Sequence, residues 1–170
     1  QLDELNVLIT DLIDAAREEE PAESFLPVDL DVLVKDAVER AQRNHPGIVF
    51  QLEAEPCQTR GVPRRLGRAV GNLLDNAAKW SGPGDVVDVR VAGGVVRVRD
   101  HGPGIAESDL AHVFDRFYRS AEARAMPGSG LGLSIVKQVA TTHGGTVIAA
   151  NHPDGGTLLT FSLPAISPNS

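Results

Sequence analysis

Disulfide chemistry is excluded at once, because the 170 residues contain one cysteine, Cys57. A lone thiol closes no internal bridge, and no CxxC or Cys/His cluster carries zinc-ligand spacing. A reducing cytoplasm fits. Long apolar runs are missing too. No stretch approaches the ~18–20 residues that span a bilayer, and no signal-peptide pattern is present. Positive charge is short: the net charge is −7 and the sequence pI is near 5.1. That balance speaks against a nucleic-acid binder, whose contact face is usually basic. Lysine is scarce, at 3 against 13 arginines, which reflects genome composition rather than function. The chain opens at Gln1 inside a helical pattern, so it is expected to be a fragment, with membrane segments upstream.

What is present suffices for one ordinary domain and a short extra element, with hydrophobic residues at 42%. Leu2, Leu5, Ile9, Leu12 and Ala16 form one helical seam, widened by Leu8 and Ile13, of the kind that suits a coiled coil or bundle. So short a helix needs a partner: another chain, a missing segment, or the surface of its own domain. Residues 18–27 break the pattern with charge and two prolines and read as a linker. Asp29 or Asp31 can cap a helix reaching about Arg43, which Pro46-Gly47 ends. Ile48, Phe50, Leu52 and Ala54 alternate as a strand. Pro63 starts a helix running to about Trp80. Val86–Ala92 and Val95–Asp100 read as a hairpin turning at Gly93-Gly94. A short helix near Glu107–His112, an irregular and mobile loop over 115–129, a helix over Leu131–Thr142 and closing strands at Thr146–Ala150 and Thr157–Leu163 complete the pattern. This order predicts an α+β fold of two layers, with helices on one face of a mixed sheet.

Four segments carry chemistry. On the helix from Pro63, Leu66, Val70, Leu73, Leu74 and Ala77 share one stripe, while Asn72, Asn76 and Lys79 share another. Amide oxygens suit a hard cation such as Mg²⁺, and the ammonium suits phosphate oxygens. A solvated helix face is the other reading of that polar stripe. Trp80 beside it either packs on a base or caps the core. Asp100-His101-Gly102-Pro103-Gly104 follows a strand, so its glycines let the backbone approach a flat ligand and its carboxylate can accept from an exocyclic amine; an ordinary tight turn is the alternative. Gly128-Ser129-Gly130-Leu131-Gly132-Leu133 opens a helix, where free N–H groups can cradle phosphates. It lacks the Lys of a P-loop and the preceding strand of a Rossmann turn. Phe114-Asp115-Arg116-Phe117-Tyr118-Arg119 precedes that loop. Phe114 and Phe117 are expected to anchor it on the core, and Arg116 or Arg119 either reaches the phosphates or stays on the surface.

Together these segments resemble the Bergerat ATP-binding fold of the superfamily that joins gyrase, Hsp90, histidine kinases and MutL. Asn72–Trp80 resembles the N box, Asp100–Gly104 the G1 box, Phe114–Arg119 the F box and Gly128–Leu133 the G2 box; Gly155-Gly156-Thr157 resembles the last glycine motif. In order and spacing the boxes resemble those of a bacterial two-component sensor histidine kinase. The resemblance implies a domain map: residues 1–20 the end of a dimerisation and phosphoacceptor helix, 21–28 a linker, 29–165 the ATP-binding catalytic domain, 166–170 a tail. It implies Mg²⁺ at Asn76 and phosphate contacts from Asn72 and Lys79, with Asn72, Lys79 and Arg116 closest to catalysis. Asp100 would bind the adenine amine with help from Thr157. Trp80, Gly102, Gly104 and Ile105 would border the base. Residues between Phe117 and Gly128 would form an ATP lid, with Gly128, Gly130 and Gly132 as its phosphate-facing hinge; Phe117, Arg119, Ser129, Leu131 and Leu133 would join the nucleotide-binding residues.

The implied activity is phosphorylation of a histidine by ATP, then relay to an aspartate on a response regulator. The implied partners are ATP, a histidine-bearing dimerisation domain of the same protein and that regulator, in a protein held at the bacterial inner membrane. Two departures stand out. Trp80 occupies a position where the family more often has Tyr. None of His45, His101, His112, His143 and His152 has the acidic neighbour and helical context of a phosphoacceptor, so this chain is expected to bind ATP without phosphorylating itself. Two rivals share the fold: an ATP hydrolase of the gyrase, Hsp90 or MutL kind, and a serine kinase that inhibits a sigma factor. Both would be expected to carry an acid near position 72, and an amide cannot take a proton from water.

Overall fold

The computed structural model describes residues 2–16, 25–119 and 130–167. Helix α1 (Leu2–Ala16) leads; strand β1 (Leu26–Asp29) feeds helix α2 (Leu30–Asn44). Strands β2 (Val49–Ala54) and β3 (Gln58–Gly61) precede the long helix α3 (Pro63–Lys79). Strands β4 (Val86–Ala92) and β5 (Val95–Arg99) form the expected hairpin, with Ala92 opposite Val95. The short α4 (Glu107–Leu110), helix α5 (Gly132–Thr142) and strands β6 (Thr146–Asn151), β7 (Thr157–Ser162) and β8 (Ala165–Ile166) follow.

The main sheet has the order β2-β4-β5-β7-β6. Only β2 and β4 run parallel, so the sheet is mixed, as expected. Val87, Val89, Val91, Val96, Val98, Leu159, Phe161 and Val147 are buried on one face, where α2, α3 and α5 pack. On the other face Glu53, Arg90 and Arg97 are exposed, and Arg90 pairs with Glu53 at 3.1 Å. This alternation is what a sheet covered on one side requires. The α3 stripe of Leu66, Val70, Leu73, Leu74 and Ala77 is buried as expected.

Three strands escape the sequence pattern. β1, β3 and β8 form a second, antiparallel sheet. The expected linker over 21–28 therefore ends early: Leu26, Pro27 and Val28 lie in β1, paired with Gly61, Arg60 and Thr59. Proline is tolerated because β1 is an edge strand. β3 buries Thr59 and Gly61 on alternate positions, a period carried by small residues rather than apolar ones. The tail expected from 166 also begins late, since Ile166 pairs with Gln58. Helix α1 forms over the expected span and touches α5, with Leu8 against the core. The rest of its seam, Leu2, Leu5, Ile9, Leu12 and Ile13, is exposed. No helix among the described residues is long and apolar enough to cross a membrane.

Candidate functional site

The α3 face opposite the buried stripe holds Asn72, Asn76 and Lys79, all half-buried. The Asn72 Nδ2 donates to the Gly132 carbonyl at 3.1 Å and so ties α3 to the first residue of α5. Asn76 makes no side-chain hydrogen bond among the described residues. The Lys79 Nζ lies 5.7 Å from the centroid of the Trp80 ring. Burial, and then the Arg119 guanidinium, hold the Lys79 ammonium below its ordinary range. Two cations converging on partly buried ground form a place where an anion offsets their repulsion.

Asp100 follows β5 and is only 2% exposed. Its Oδ1 accepts from the N–H of Gly102 at 2.9 Å and of Thr157 at 3.2 Å. The Asp100 N–H in turn donates to the Thr157 carbonyl at 3.1 Å, closing a reciprocal clasp with β7. Burial pushes the carboxyl above the usual carboxylate range, against the opposing pull of those two N–H groups, His101 and Arg99. Glycine is required nearby for lack of room. A Cβ at Gly102 would sit 2.6 Å from the Trp80 carbonyl oxygen, and one at Gly156 would sit 1.9 Å from the Asp100 carbonyl oxygen. The loop after β5 is thereby drawn against the end of α3. Gly104 (φ +83°) and half-buried Ile105 continue that loop, and a Cβ at Gly104 would approach the Asn151 Oδ1 to 2.8 Å.

The segment after α4 differs from expectation at one aromatic. Phe114 packs on the core, but Phe117 is 55% exposed. Its backbone is left-handed (φ 61°), and its N–H donates to the Gly130 carbonyl at 3.0 Å. That bond fixes the main chain while turning the ring away from the core. The Tyr118 hydroxyl bonds the Asp109 carboxylate, and its ring lies beside His112, so the segment is fastened to α4 through Tyr118 instead. Arg116 is exposed and Arg119 half-buried. Gly128 and Ser129 lie outside the described residues, as does the rest of the expected loop over 115–129 from residue 120 on. Leu131 is buried and Leu133 packs against the core, so any ligand contact there falls to the backbone. A separate groove of about 960 Å³ crosses the outer faces of α2, α3 and α5; it reaches Asn72 but neither Asp100 nor the glycines around it.

One residue of the constellation was missed in the sequence. Asn151 ends β6, and its amide pairs with the Ile105 backbone in both directions, each at 2.7 Å. A lone Asn before His152-Pro153-Asp154-Gly155-Gly156 reads only as a turn former, and no sequence signal marks it otherwise.

The arrangement brings a buried carboxylate, glycines pressed against a helix end, a polar helix face and two converging cations into one region. Residues 61–167 match the model of the histidine kinase-, DNA gyrase B- and HSP90-like ATPase family. The chain belongs to that family, as an ATP-binding catalytic domain of the histidine kinase type. It is similar to the signal transduction histidine-protein kinase/phosphatase MprB of Mycobacterium avium (strain 104), with 44% identity over 92% of this chain. The chain spans 31% of the length of that relative. Among solved structures, the mycobacterial sensor histidine kinase MprB superposes with a TM-score of 0.75 at 44% identity, covering 82% of this chain and 98% of that one. The ATP binding domain of PrrB from Mycobacterium tuberculosis gives a TM-score of 0.69 at 32% identity, covering 85% of this chain and 99% of that one.

Proposed function

We propose that this domain binds ATP with Mg²⁺ and presents its γ-phosphoryl group to a histidine on a dimerisation domain outside this chain, for relay to an aspartate of a response regulator. The observation that carries the reading is Asp100. Its Oδ1 is occupied by two backbone N–H groups while the group stays buried at the end of a strand. Such a carboxylate matches the exocyclic amine of adenine, which donates, and not the O6 of guanine, which accepts. Thr157 fixes its orientation through the β7 backbone, and Gly102, Gly104 and Ile105 border the base, with Trp80 at the end of α3.

The phosphates then lie towards Lys79 and Arg119, whose mutual repulsion an anionic chain relieves. Arg116, exposed on the same segment, is the further candidate for the developing charge. The half-buried Asn76 amide, free of hydrogen bonds among the described residues, fits a hard cation that keeps most of its waters. Mg²⁺ bound there would neutralise phosphate charge. No group of three or more His, Cys, Asp or Glu side chains suited to a metal occurs among the described residues, so such an ion would be shared chiefly with the nucleotide. Phosphoryl transfer depends mainly on positioning and charge stabilisation. Asn72 offers no carboxylate to activate water, which favours transfer to a histidine over hydrolysis.

Calorimetric titration with a non-hydrolysable ATP analogue, with and without Mg²⁺, tests the reading. Wild-type protein binds, Asp100→Asn loses most of the affinity, and Asn76→Asp alters the Mg²⁺ dependence. Absence of adenine-nucleotide binding under every metal condition would overturn it.

A further inference from the structure

Seven residues separate β5 from α4, and their main chain is held sparsely. Among the described residues, the backbone of 101–105 makes hydrogen bonds through Gly102, to Asp100 within the same loop, and through Ile105. Both Ile105 bonds go to one side chain: the Asn151 Oδ1 accepts from the Ile105 N–H, and the Asn151 Nδ2 donates to the Ile105 carbonyl. The amide thus acts as a peptide group in a two-bond bridge, which needs a donor and an acceptor on one plane at that reach. Asn151 faces Thr157 across the β6–β7 ladder. Thr157 is the residue that clasps Asp100. One cross-strand pair therefore holds both ends of the loop, Asp100 through Thr157 and Ile105 through Asn151.

We propose that Asn151 is a positioning residue for the adenine side of the nucleotide site, fixing the Gly104–Ile105 wall at a set distance from Asp100. The inference rests on the nucleotide reading above. Asn151 touches no substrate; it acts through Ile105. Gly104 belongs to the same device, because its left-handed backbone (φ +83°) lets the loop pass within reach of the amide, where a Cβ would collide with Oδ1. The phosphate end, at Lys79 and Arg119, stands on α3 and the segment after α4, and the Asn151 amide bonds neither.

The test compares wild type with Asn151→Ala and Asn151→Asp in the whole chain. It reads the affinity for ADP and for a non-hydrolysable ATP analogue, the ligand-free melting temperature, and hydrogen exchange at the Ile105 amide. Asn151→Ala is expected to weaken both nucleotides by the same factor, about tenfold, the size that two ordinary hydrogen bonds carry. Ile105 exchange accelerates while the amides of β4 and β7 keep their protection. A general loss of structure would not confine the change to one amide, and a loss at the phosphates would separate ADP from the triphosphate. Should Asn151→Ala melt well below wild type, Asn151→Asp decides. It keeps the acceptor for the Ile105 N–H and sets a carboxylate oxygen against the Ile105 carbonyl, so it is expected to weaken binding at nearly unchanged stability. Wild-type affinity in Asn151→Asp, or in a well-folded Asn151→Ala, overturns the role of Asn151 and leaves the nucleotide site standing. A wild type that binds neither nucleotide overturns the site itself.

Discussion

Asp100 keeps a carboxylate where water barely reaches, and the fold bears that cost to have the group in place. Its folded pKa is raised, chiefly by burial, so the folded state holds its proton more firmly than the unfolded chain. As pH rises through the interval between the unfolded and folded values, stability from this group falls. Asp100→Asn keeps an oxygen for the N–H groups of Gly102 and Thr157 and removes the buried charge. The ligand-free variant is therefore expected to melt at or above the wild-type temperature near neutral pH, with the gap closing towards about pH 4. Stability would rise where nucleotide binding is lost, an opposition that a damaged fold cannot produce. Lys79 is the complementary case. Lys79→Met removes one of two repelling cations, and affinity is expected to fall more for the triphosphate than for ADP. An equal loss for both would move Lys79 away from the terminal phosphate.

A buried histidine, His143, caps the C-terminus of helix α5 and ties it to the start of α3. The His143 Nδ1–H donates to the Val139 carbonyl at 2.8 Å, and its Nε2 accepts from the Val62 N–H at 3.1 Å, at the entry to α3. Phe25 stacks on the ring at a centroid distance of 4.8 Å. Burial foremost, with Arg65 adding to it, holds the imidazole below its ordinary pKa of 6.5. The unfolded chain then takes the proton first, and stability is lost as pH falls from 6.5 through the folded value. His143→Ala leaves the Val62 N–H without its partner and is expected to cost about 1–3 kcal/mol in chemical denaturation near neutral pH. The same variant should flatten the acid side of the stability profile. The elements that carry the site were the legible ones. α3 declares itself by its apolar stripe and Pro63, the β4–β5 hairpin by its two glycines, and α5 by the glycines before it. β1, β3 and β8 were not legible, because strands such as Gln58–Gly61 bury small or polar residues and gain their meaning only from distant partners. Phe117 misled for a related reason: an aromatic beside Phe114 reads as core, and only the bond to Gly130 shows why the backbone turns it out. Asn151 was silent altogether, since its role exists only once residues 46 positions apart in sequence are neighbours.

At the scale of the molecule, α1 stands apart from the constellation, resting on α5 through Leu8. We propose the catalytic unit as residues 29–165, extended by the strand pairing of β1 and β8, with α1 as the end of a helix that pairs outside this chain. Removal of residues 1–24 is expected to leave the affinity for an ATP analogue unchanged by calorimetry, and a loss of affinity would tie α1 to the nucleotide. The clasp between Asp100 and Thr157 has a bearing on time as well as on place. Its partners are 57 residues apart, and β5 meets β7 only after the loop, α5 and β6 have been threaded between them. The β4–β5 hairpin is local and can form early, whereas this seam needs the slowest, most distant closure in the sheet. A growing or partly folded chain therefore owns the carboxylate long before it owns the pocket. Nucleotide capture then marks completion of the fold, and by mass action it holds the finished molecule shut.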